Sequence, residues 1–166
     1  MTRRTRQMTR SRLLVFVVAV VLAVAAYARA QAPSAPDAPP APGQPAPPHV
    51  VSDLLNALSW GVQRFQAMDA EGVLAQVSER YRSGPLTKNA ARQQLRAVFA
   101  AHDAVWARIR IDQVVMVGDR AWVYSTGDVV GRLRFLGTHV TLYSWQRQPE
   151  VAYVEEGRWK LIGDGG

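Results

Sequence analysis

The spacing of apolar residues changes from a helical period to a strand period near residue 105. Before that point, apolar side chains recur every three or four positions, which places them on one face of a helix. Between Val105 and Ile111 they alternate with Trp106, Arg108 and Arg110, as in a strand with two different faces. Helices followed by a run of strands predict an α+β domain with a mainly antiparallel sheet.

Three helices are predicted in the first half of this domain. The first begins near Ser52 or Asp53, the second runs from Asp69 to about Arg80, and the third is capped by Thr87. The predicted apolar faces are, in chain order, Val51, Leu54, Leu55, Leu58, Val62 and Phe65; then Val73, Leu74 and Val77; then Ala91, Leu95, Val98, Phe99 and His102.

Strands fill the second half, and turn residues separate them. The predicted features are a hairpin turn at Gly118-Asp119, a strand from Arg120 to about Val130, a strand or strand pair from Leu133 to about Gln148 with a bend at Gly137, a local break in pairing at Pro149, and a turn at residues 155–157. Several strands are apolar or aromatic on both faces. We therefore expect a partner subunit, a ligand cavity or both to cover the second face.

The N-terminal segment resembles an export signal. Five arginines precede an apolar run at residues 13–28, and Ala28-Arg29-Ala30 fits a cleavage site between Ala30 and Gln31. The alternative is an uncleaved anchor in the inner membrane, with the domain still outside the cytoplasm. Residues 31–48 hold eight of the ten prolines and are predicted to be a disordered linker, so the domain is placed at 49–166.

The net charge of +7 comes almost entirely from this leader. Residues 1–30 contribute +6 and residues 31–166 only +1, so the predicted domain carries no basic surface typical of nucleic-acid binding. The chain has no cysteine, which excludes disulfides and thiolate metal sites. Histidines and carboxylates show no metal-ligand spacing, and there is no glycine-rich phosphate loop, so we expect neither a metal nor a cofactor.

Two motifs resemble the nuclear transport factor 2-like superfamily, which includes ketosteroid isomerase-like and polyketide cyclase-like (SnoaL-like) domains. They are V-x-V-G-D-x-A-x-V at residues 115–123 and the terminal E-E-G-R-W-K-L-I-G at residues 155–163, after three helices. The resemblance implies a cystatin-like cone, with three N-terminal helices packed on a strongly curved, mainly antiparallel sheet around a pocket. It also implies a homodimer formed through the sheet. The ketosteroid isomerases carry a tyrosine on the first helix, where this chain has Trp60 and Phe65 instead.

His102 and Asp128 are the two weak candidates for a catalytic acid or base. His102 lies at the end of a predicted helix, so the alternative role is to cap the last helical carbonyls. Asp128 follows Gly127 in a strand, and the alternative is a solvent-facing edge or bulge residue. His139 is predicted to lie on the surface. No nucleophile elbow, catalytic triad or glycosidase carboxylate pair is present.

Aromatic residues supply the candidates for a ligand pocket: Trp60, Trp106, Trp122, Tyr124 and Tyr143. Their alternative role is in the core or a dimer interface. Two arginine pairs with i, i+2 spacing, Arg108 with Arg110 and Arg132 with Arg134, have the geometry to grip an anion. The alternative is a solvated face in which Asp112 and Asp128 neutralise them.

The sequence therefore predicts an exported domain that binds an apolar or amphipathic small molecule, or a protein partner, and has no recognisable catalytic set. The alternative is a small isomerase- or cyclase-type enzyme that uses a pocket histidine or aspartate. A third possibility is a structural dimerisation module whose own aromatic side chains fill the pocket. No nucleic-acid partner is predicted, and membrane contact is expected only through an uncleaved leader.

Overall fold

A computed structural model describes residues 43–83 and 86–163. The predicted export signal and most of the predicted linker lie outside these residues. The helices are α1 (Pro48–Gln66), α2 (Ala70–Leu74) and α3 (Lys88–Ala101). No helix in this part of the chain combines the length and apolar character needed to cross a membrane.

Seven strands form one sheet in the order β1-β4-β5-β6-β7-β2-β3. The strands are β1 (Gln44–Pro45), β2 (Val77–Ser83), β3 (Leu86–Thr87), β4 (His102–Val117), β5 (Arg120–Leu133), β6 (His139–Glu155) and β7 (Arg158–Gly163). Every neighbouring pair is antiparallel except β2 and β7, which run parallel. The predicted α+β class and mainly antiparallel sheet are confirmed.

The helices cover one face of the sheet, here called the inner face. Alternate residues of β5, including Ala121, Val123 and Val129, join residues of α1 and α3 in the hydrophobic core. The opposite, outer face carries Trp122, Tyr124 and the other intervening residues, which are half-buried. The two faces therefore differ in chemistry, because only the inner one is sealed by helices.

The fold begins earlier than the predicted boundary at residue 49. Gln44 and Pro45 pair with Met116 and Val115, and Pro48 opens α1 at its first position. Proline suits that position because its ring fixes a helical φ and its missing N–H would have no partner there. The last prolines of the predicted linker thus belong to the folded domain.

The predicted second helix is wrong over most of its length. α2 ends at Leu74, and residues 77–83 form β2, which pairs with β7. Val73, Leu74 and Val77 are all buried, but Val77 is buried as a strand residue opposite Leu161. The backbone N–H and C=O groups at this edge of β7 need hydrogen-bond partners, and a helix at residues 77–83 would leave them unpaired.

The third predicted helix is confirmed from its cap to Ala101. Thr87 accepts a hydrogen bond from the backbone N–H of Ala90, at 3.3 Å. His102 does not continue the helix, because its extended backbone already begins β4. The apolar face Ala91, Leu95 and Phe99 is buried as predicted.

The turns are confirmed at Gly118-Asp119 and at Glu156-Gly157, and the bend at Gly137 has the φ of +63° that glycine adopts readily. Pro149 does not interrupt β6, since it pairs with Tyr124 inside a strand that runs to Glu155. β7 pairs with β6 only from Val151 onward. Pro149 therefore lies where β6 has no second neighbour that needs its N–H.

Candidate functional site

A cavity of about 30 Å³ lies between α1 and the inner face of the sheet. Its buried wall comes from β5, β6 and β7, and its helical side comes from α1. The lining residues are Leu54, Ala57, Leu58, Gln76, Ile111, Val123, Ala152, Trp159, Lys160 and Leu161. Nearly all of this surface is apolar, so the cavity suits a hydrophobic group.

Lys160 is the charged residue of the lining, but its side chain points to the outer face, because it alternates with Trp159 and Leu161 along β7 and pairs with Tyr153. Its Nζ lies 3.4 Å from Oε2 of Glu155 and 3.4 Å from Oε2 of Glu156. Burial disfavours the charged ammonium, but hydrogen bonds to the two carboxylates outweigh this cost and raise the pKa of Lys160. Lys160 therefore stays a cation at neutral pH, and its charge is compensated on the outer face of the sheet.

The cavity is small for a ligand site. A cavity needs a volume of roughly 10–15 Å³ to hold one buried water, whereas sites for drug-sized molecules enclose about 300–1,000 Å³. Leu58, Trp159 and Gln76 are only half-buried. A ligand larger than a few atoms would enter by displacing these partly exposed side chains.

Glu150 is a buried carboxyl group beside this cavity, and sequence reasoning missed it. Glu150 is 1% exposed. It pairs with Val123 of the neighbouring strand β5, and Val123 lines the cavity. Ala152, two positions along the same face, is also a lining residue. A carboxyl group this buried is rare outside functional sites and structural networks. The sequence shows that residues 150 and 152 share one face of a strand. Which face of the sheet this is could not be assigned without the pairing register of β6 and β5.

Tyr143 lies on the same inner face and feels the charge of Glu150. Burial raises the pKa of the Tyr143 phenol. The hydrogen bond to Gln148 lowers this pKa in part, and the nearby Glu150 carboxylate raises it. The hydroxyl donates to Oε1 of Gln148 at 3.1 Å, and the ring stacks on Trp145 with centroids 5.5 Å apart. Tyr143 is thus held neutral, as a potential proton donor, close to a buried carboxyl.

His102 is buried at 1% exposure but does not line the cavity. Its Nδ1 lies 2.8 Å from the carbonyl oxygen of Val98, so Nδ1 carries the proton and caps the end of α3. Along β4 it pairs with Leu133, at the far end of β5 from Val123. Capping, the alternative role, is what the geometry supports.

Asp128 lies on the outer face and is bound by Arg108 through two hydrogen bonds of 3.0 and 2.7 Å. This fork geometry uses both carboxylate oxygens. The remaining arginines are also occupied. Arg110 contacts Asp112 at 2.9 Å, Arg132 contacts Asp103 at 2.6 Å, and Arg134 donates to the carbonyls of Phe99 and His102. The neutralised, solvated face is the arrangement observed.

The five aromatic candidates do not converge on the cavity. Trp60, on α1, is 42% exposed under the guanidinium of Arg64, and Trp106, on β4, is 41% exposed beside His139. Trp122 and Tyr124 share the outer face, and Tyr143 alone is on the inner face. None of the five lines the cavity. In the described part of the chain, no group of three or more acidic or histidine side chains is placed to hold a metal ion.

Three solved structures show what this chain resembles. A scytalone dehydratase-like protein from Novosphingobium aromaticivorans superposes with a TM-score of 0.61 at 13% identity, over 69% of this chain and 80% of that one. A dehydratase-like protein of the nuclear transport factor 2-like family from Streptomyces avermitilis gives 0.57 at 14% identity, over 70% and 94%. A ketosteroid isomerase-like protein from Erwinia carotovora gives 0.51 at 16% identity, over 70% and 93%.

No protein-family model matches the chain, and no curated protein matches it. The structural likenesses all fall below 20% identity, so they speak for the fold and not for an activity. Together with the helix-to-sheet order and the Gly118-Asp119 hairpin, they show that the chain has the nuclear transport factor 2-like fold.

Proposed function

We propose that this domain binds a small, largely apolar or amphipathic molecule in the cleft between α1 and the inner face of the sheet. The observation that carries the proposal is the almost entirely apolar cavity between α1 and the inner face of the sheet. An apolar wall provides the affinity for such a molecule. In this proposal the sheet curves around α1, as in the predicted cystatin-like cone.

A cavity-filling variant tests this function. Ala57 lines the cavity from α1, and its neighbour Asn56 is exposed and does not line it. The probe is 1-anilinonaphthalene-8-sulfonate, an aromatic anion, with energy transfer from tryptophan as the readout. We expect saturable binding that Ala57→Trp weakens at least tenfold and Asn56→Trp leaves unchanged. Equal binding by both variants would mean that the probe sits elsewhere.

Glu150 supports a second candidate function, a dehydratase- or isomerase-type activity. A buried carboxylate next to the cavity is suited to remove a proton from the carbon beside a carbonyl group. In a β-hydroxy ketone, the carbon–carbon double bond then forms as the hydroxyl leaves, and the proton that Glu150 has taken up passes to that hydroxyl and converts it to water. This reaction class matches the names of the structural neighbours, while the residue assignment comes from this chain.

The test of the second function uses a bicyclic β-hydroxy ketone as substrate, with ultraviolet absorbance of the conjugated enone as the readout. We expect Glu150→Gln to abolish turnover while probe binding persists. Glu156→Gln, an exposed carboxylate in the β6–β7 turn, is the control and should keep the activity. Turnover that survives in Glu150→Gln would remove this candidate and leave the binding function intact.

We also propose that the domain works outside the cytoplasm, because the leader has the charge and apolar run of an export signal. The measurement is N-terminal sequencing of the protein recovered from the cell envelope. A new terminus at Gln31 supports a cleaved signal, and retention of Met1 supports the anchored alternative. Recovery only from the cytoplasm would contradict both.

A further inference from the structure

The turn between β5 and β6 carries the two most exposed large apolar side chains in the described part of the chain. Phe135 is 93% exposed and Leu136 is 74% exposed, whereas the other exposed large apolar residues lie between 41% and 49%. Residues 134–138, here called the hairpin tip, are all exposed. Two side chains this exposed contribute little to the core, and adjacent exposed apolar groups mark a contact with another molecule.

Backbone hydrogen bonds close the hairpin tip and hold it outward. The N–H of Leu133 donates to the carbonyl of Thr138, and the N–H of Gly137 donates to the carbonyl of Leu133, both at 2.9 Å. Gly137 has a φ of +63°, which allows this tight turn. Phe135 and Leu136 could fold back onto the domain only if these bonds broke.

Arg134 fastens the hairpin tip to the end of α3. Its backbone N–H donates to the carbonyl of Ala101 at 3.1 Å. Its guanidinium donates to the carbonyls of Phe99 and His102, each at 3.2 Å. These acceptors are neutral, so Arg134 keeps its positive charge without an ion pair to any described carboxylate.

The base of the hairpin therefore carries an excess of positive charge. Arg132 is paired with Asp103 at 2.6 Å, and Arg134 adds a second cation beside them. Two arginines and one aspartate leave a local charge of +1 next to the apolar tip. Apolar side chains flanked by arginine suit an anionic membrane surface, because the apolar groups enter the headgroup boundary while the cations stay with the phosphates.

The shape and size of the tip favour a membrane over a protein partner. A turn that projects from the end of a sheet is convex, so a protein would need a matching pocket, whereas a fluid bilayer closes around the projection from every side. An aromatic side chain buries about 150–250 Å². Two side chains thus fall well short of the about 800 Å² that each partner buries in a standard protein interface.

We propose that the hairpin tip inserts Phe135 and Leu136 into the headgroup region of an anionic lipid bilayer. This contact is separate from the one expected of an uncleaved leader. The chain enters the described structure at β1, which pairs with Val115 and Met116 near the β4–β5 turn. The hairpin tip lies at the opposite end of the same sheet, so a leader alone would bring the wrong end to the membrane.

Site-specific labelling tests which end of the sheet meets the bilayer, since the chain has no cysteine of its own. The chain, expressed with its own leader, carries a nitrobenzoxadiazole fluorophore at Phe135→Cys or, as a control, at Asp119→Cys in the exposed β4–β5 turn. The vesicles contain equal parts of phosphatidylcholine and phosphatidylglycerol, with or without a doxyl-labelled lipid. We expect a blue shift and doxyl quenching at residue 135 and neither at residue 119.

Any other pattern would overturn the proposal. A response at residue 119 alone is the result that contact through the leader would give. Equal responses at both positions would mean non-specific adsorption. No response at either position would leave a protein as the partner of the tip.

A second measurement asks whether the two apolar side chains drive insertion. The fluorophore at Thr138→Cys reports the fraction of inserted tips, whether the leader is cleaved or kept. We expect Phe135→Ser with Leu136→Ser to lower the insertion constant at least tenfold. The matched control, Leu55→Ser with Val154→Ser, removes two apolar residues that are 44% and 49% exposed elsewhere and should leave the constant unchanged.

An equal loss in both double variants, or no loss in the tip variant, would contradict insertion through the tip. Circular dichroism checks that both variants keep their fold, which the exposure of all four residues favours. Both should also keep probe binding at the cavity when vesicles are absent, because none of the four residues lines it. Failure of membrane insertion is thus distinguishable from failure of ligand binding.

Discussion

His102 shows how a single residue can look catalytic in sequence and be structural in the fold. Its ring packs against Gly131, a residue of the neighbouring strand β5. A Cβ at residue 131 would lie 2.5 Å from Cδ2 and 2.9 Å from Nε2 of His102. The imidazole has little freedom to move, because it is buried and bonded to Val98. Glycine at 131 is therefore required by the histidine beside it.

Gly131→Ala is expected to destabilise the protein by about 1–3 kcal/mol, as overpacking of a tight core does. The measurement is the free energy of unfolding in urea. His102→Ala removes the clashing ring, so Gly131→Ala in that background should cost clearly less. An equal cost in both backgrounds would mean that another contact, such as Leu142, limits the site.

At the scale of elements, the segment between α1 and α3 is where local pattern and tertiary structure disagree. Asp69 caps α2 by accepting a hydrogen bond from the N–H of Gly72 at 2.9 Å, as the sequence predicts for a helix start. The helix then ends after five residues, because β7 offers a parallel partner to residues 77–83. Val77 and Tyr81, four positions apart, mimic a helical face and yet are strand residues that face the core.

The α3 cap gives a prediction at the same scale. Thr87→Ala removes the acceptor for the N–H of Ala90 and is expected to cost about 1 kcal/mol of unfolding free energy. Thr87→Ser keeps the hydroxyl and should recover most of that loss. Thr87 also pairs with Arg82 through its backbone, which neither substitution removes. If Thr87→Ser and Thr87→Ala are equally destabilising, the methyl group of Thr87 contributes the stability and the hydroxyl cap does not.

At the scale of the whole molecule, charges on the outer face are organised as pairs, some within β4 and others between β4 and β5. Asp112 is a clear case, since Thr126 donates to it at 2.5 Å and Arg110 at 2.9 Å. These bonds hold the pKa of Asp112 below its usual value, the hydroxyl of Thr126 contributing most. Asp103, beside Arg132, has its pKa lowered in the same way. A set of such carboxylates links the stability of the sheet to pH.

The direction of the pH dependence follows from these lowered pKa values. A carboxylate with a depressed folded-state pKa adds stability above its unfolded-state pKa of about 3.9 and loses it as the pH falls further. We expect the unfolding free energy to fall between about pH 5 and pH 3. Asp112→Asn should be less stable than wild type at pH 7 and equal to it at the acid end. A gap that persists undiminished at pH 3 would show that Asp112 acts through packing and not through its charge.

The sequence by itself determined what depends on neighbours a few residues away. The change of period gave the α+β class, Thr87 gave the start of α3, and Gly118-Asp119 gave the hairpin between β4 and β5. Each of these is set by local backbone preference or by the face on which nearby apolar groups fall. The arginine–aspartate neutralisation was also foreseen as an alternative, because residues two apart on a strand share a face.

Only the tertiary structure decided which carboxyl group is buried and which aromatic residues meet. β-Bulges shift the register between β5 and β6 at Ser125/Gly127 and again at Val129/Val130, and each shift exchanges the faces of the residues that follow. Glu150 points inward because it pairs with Val123, whereas Asp128 points outward in the unbroken alternation of β5, although both look alike as strand carboxylates. β2 likewise exists because Val77 meets Leu161, a residue far along the chain. Long-range pairing, which no local window contains, places the candidate site.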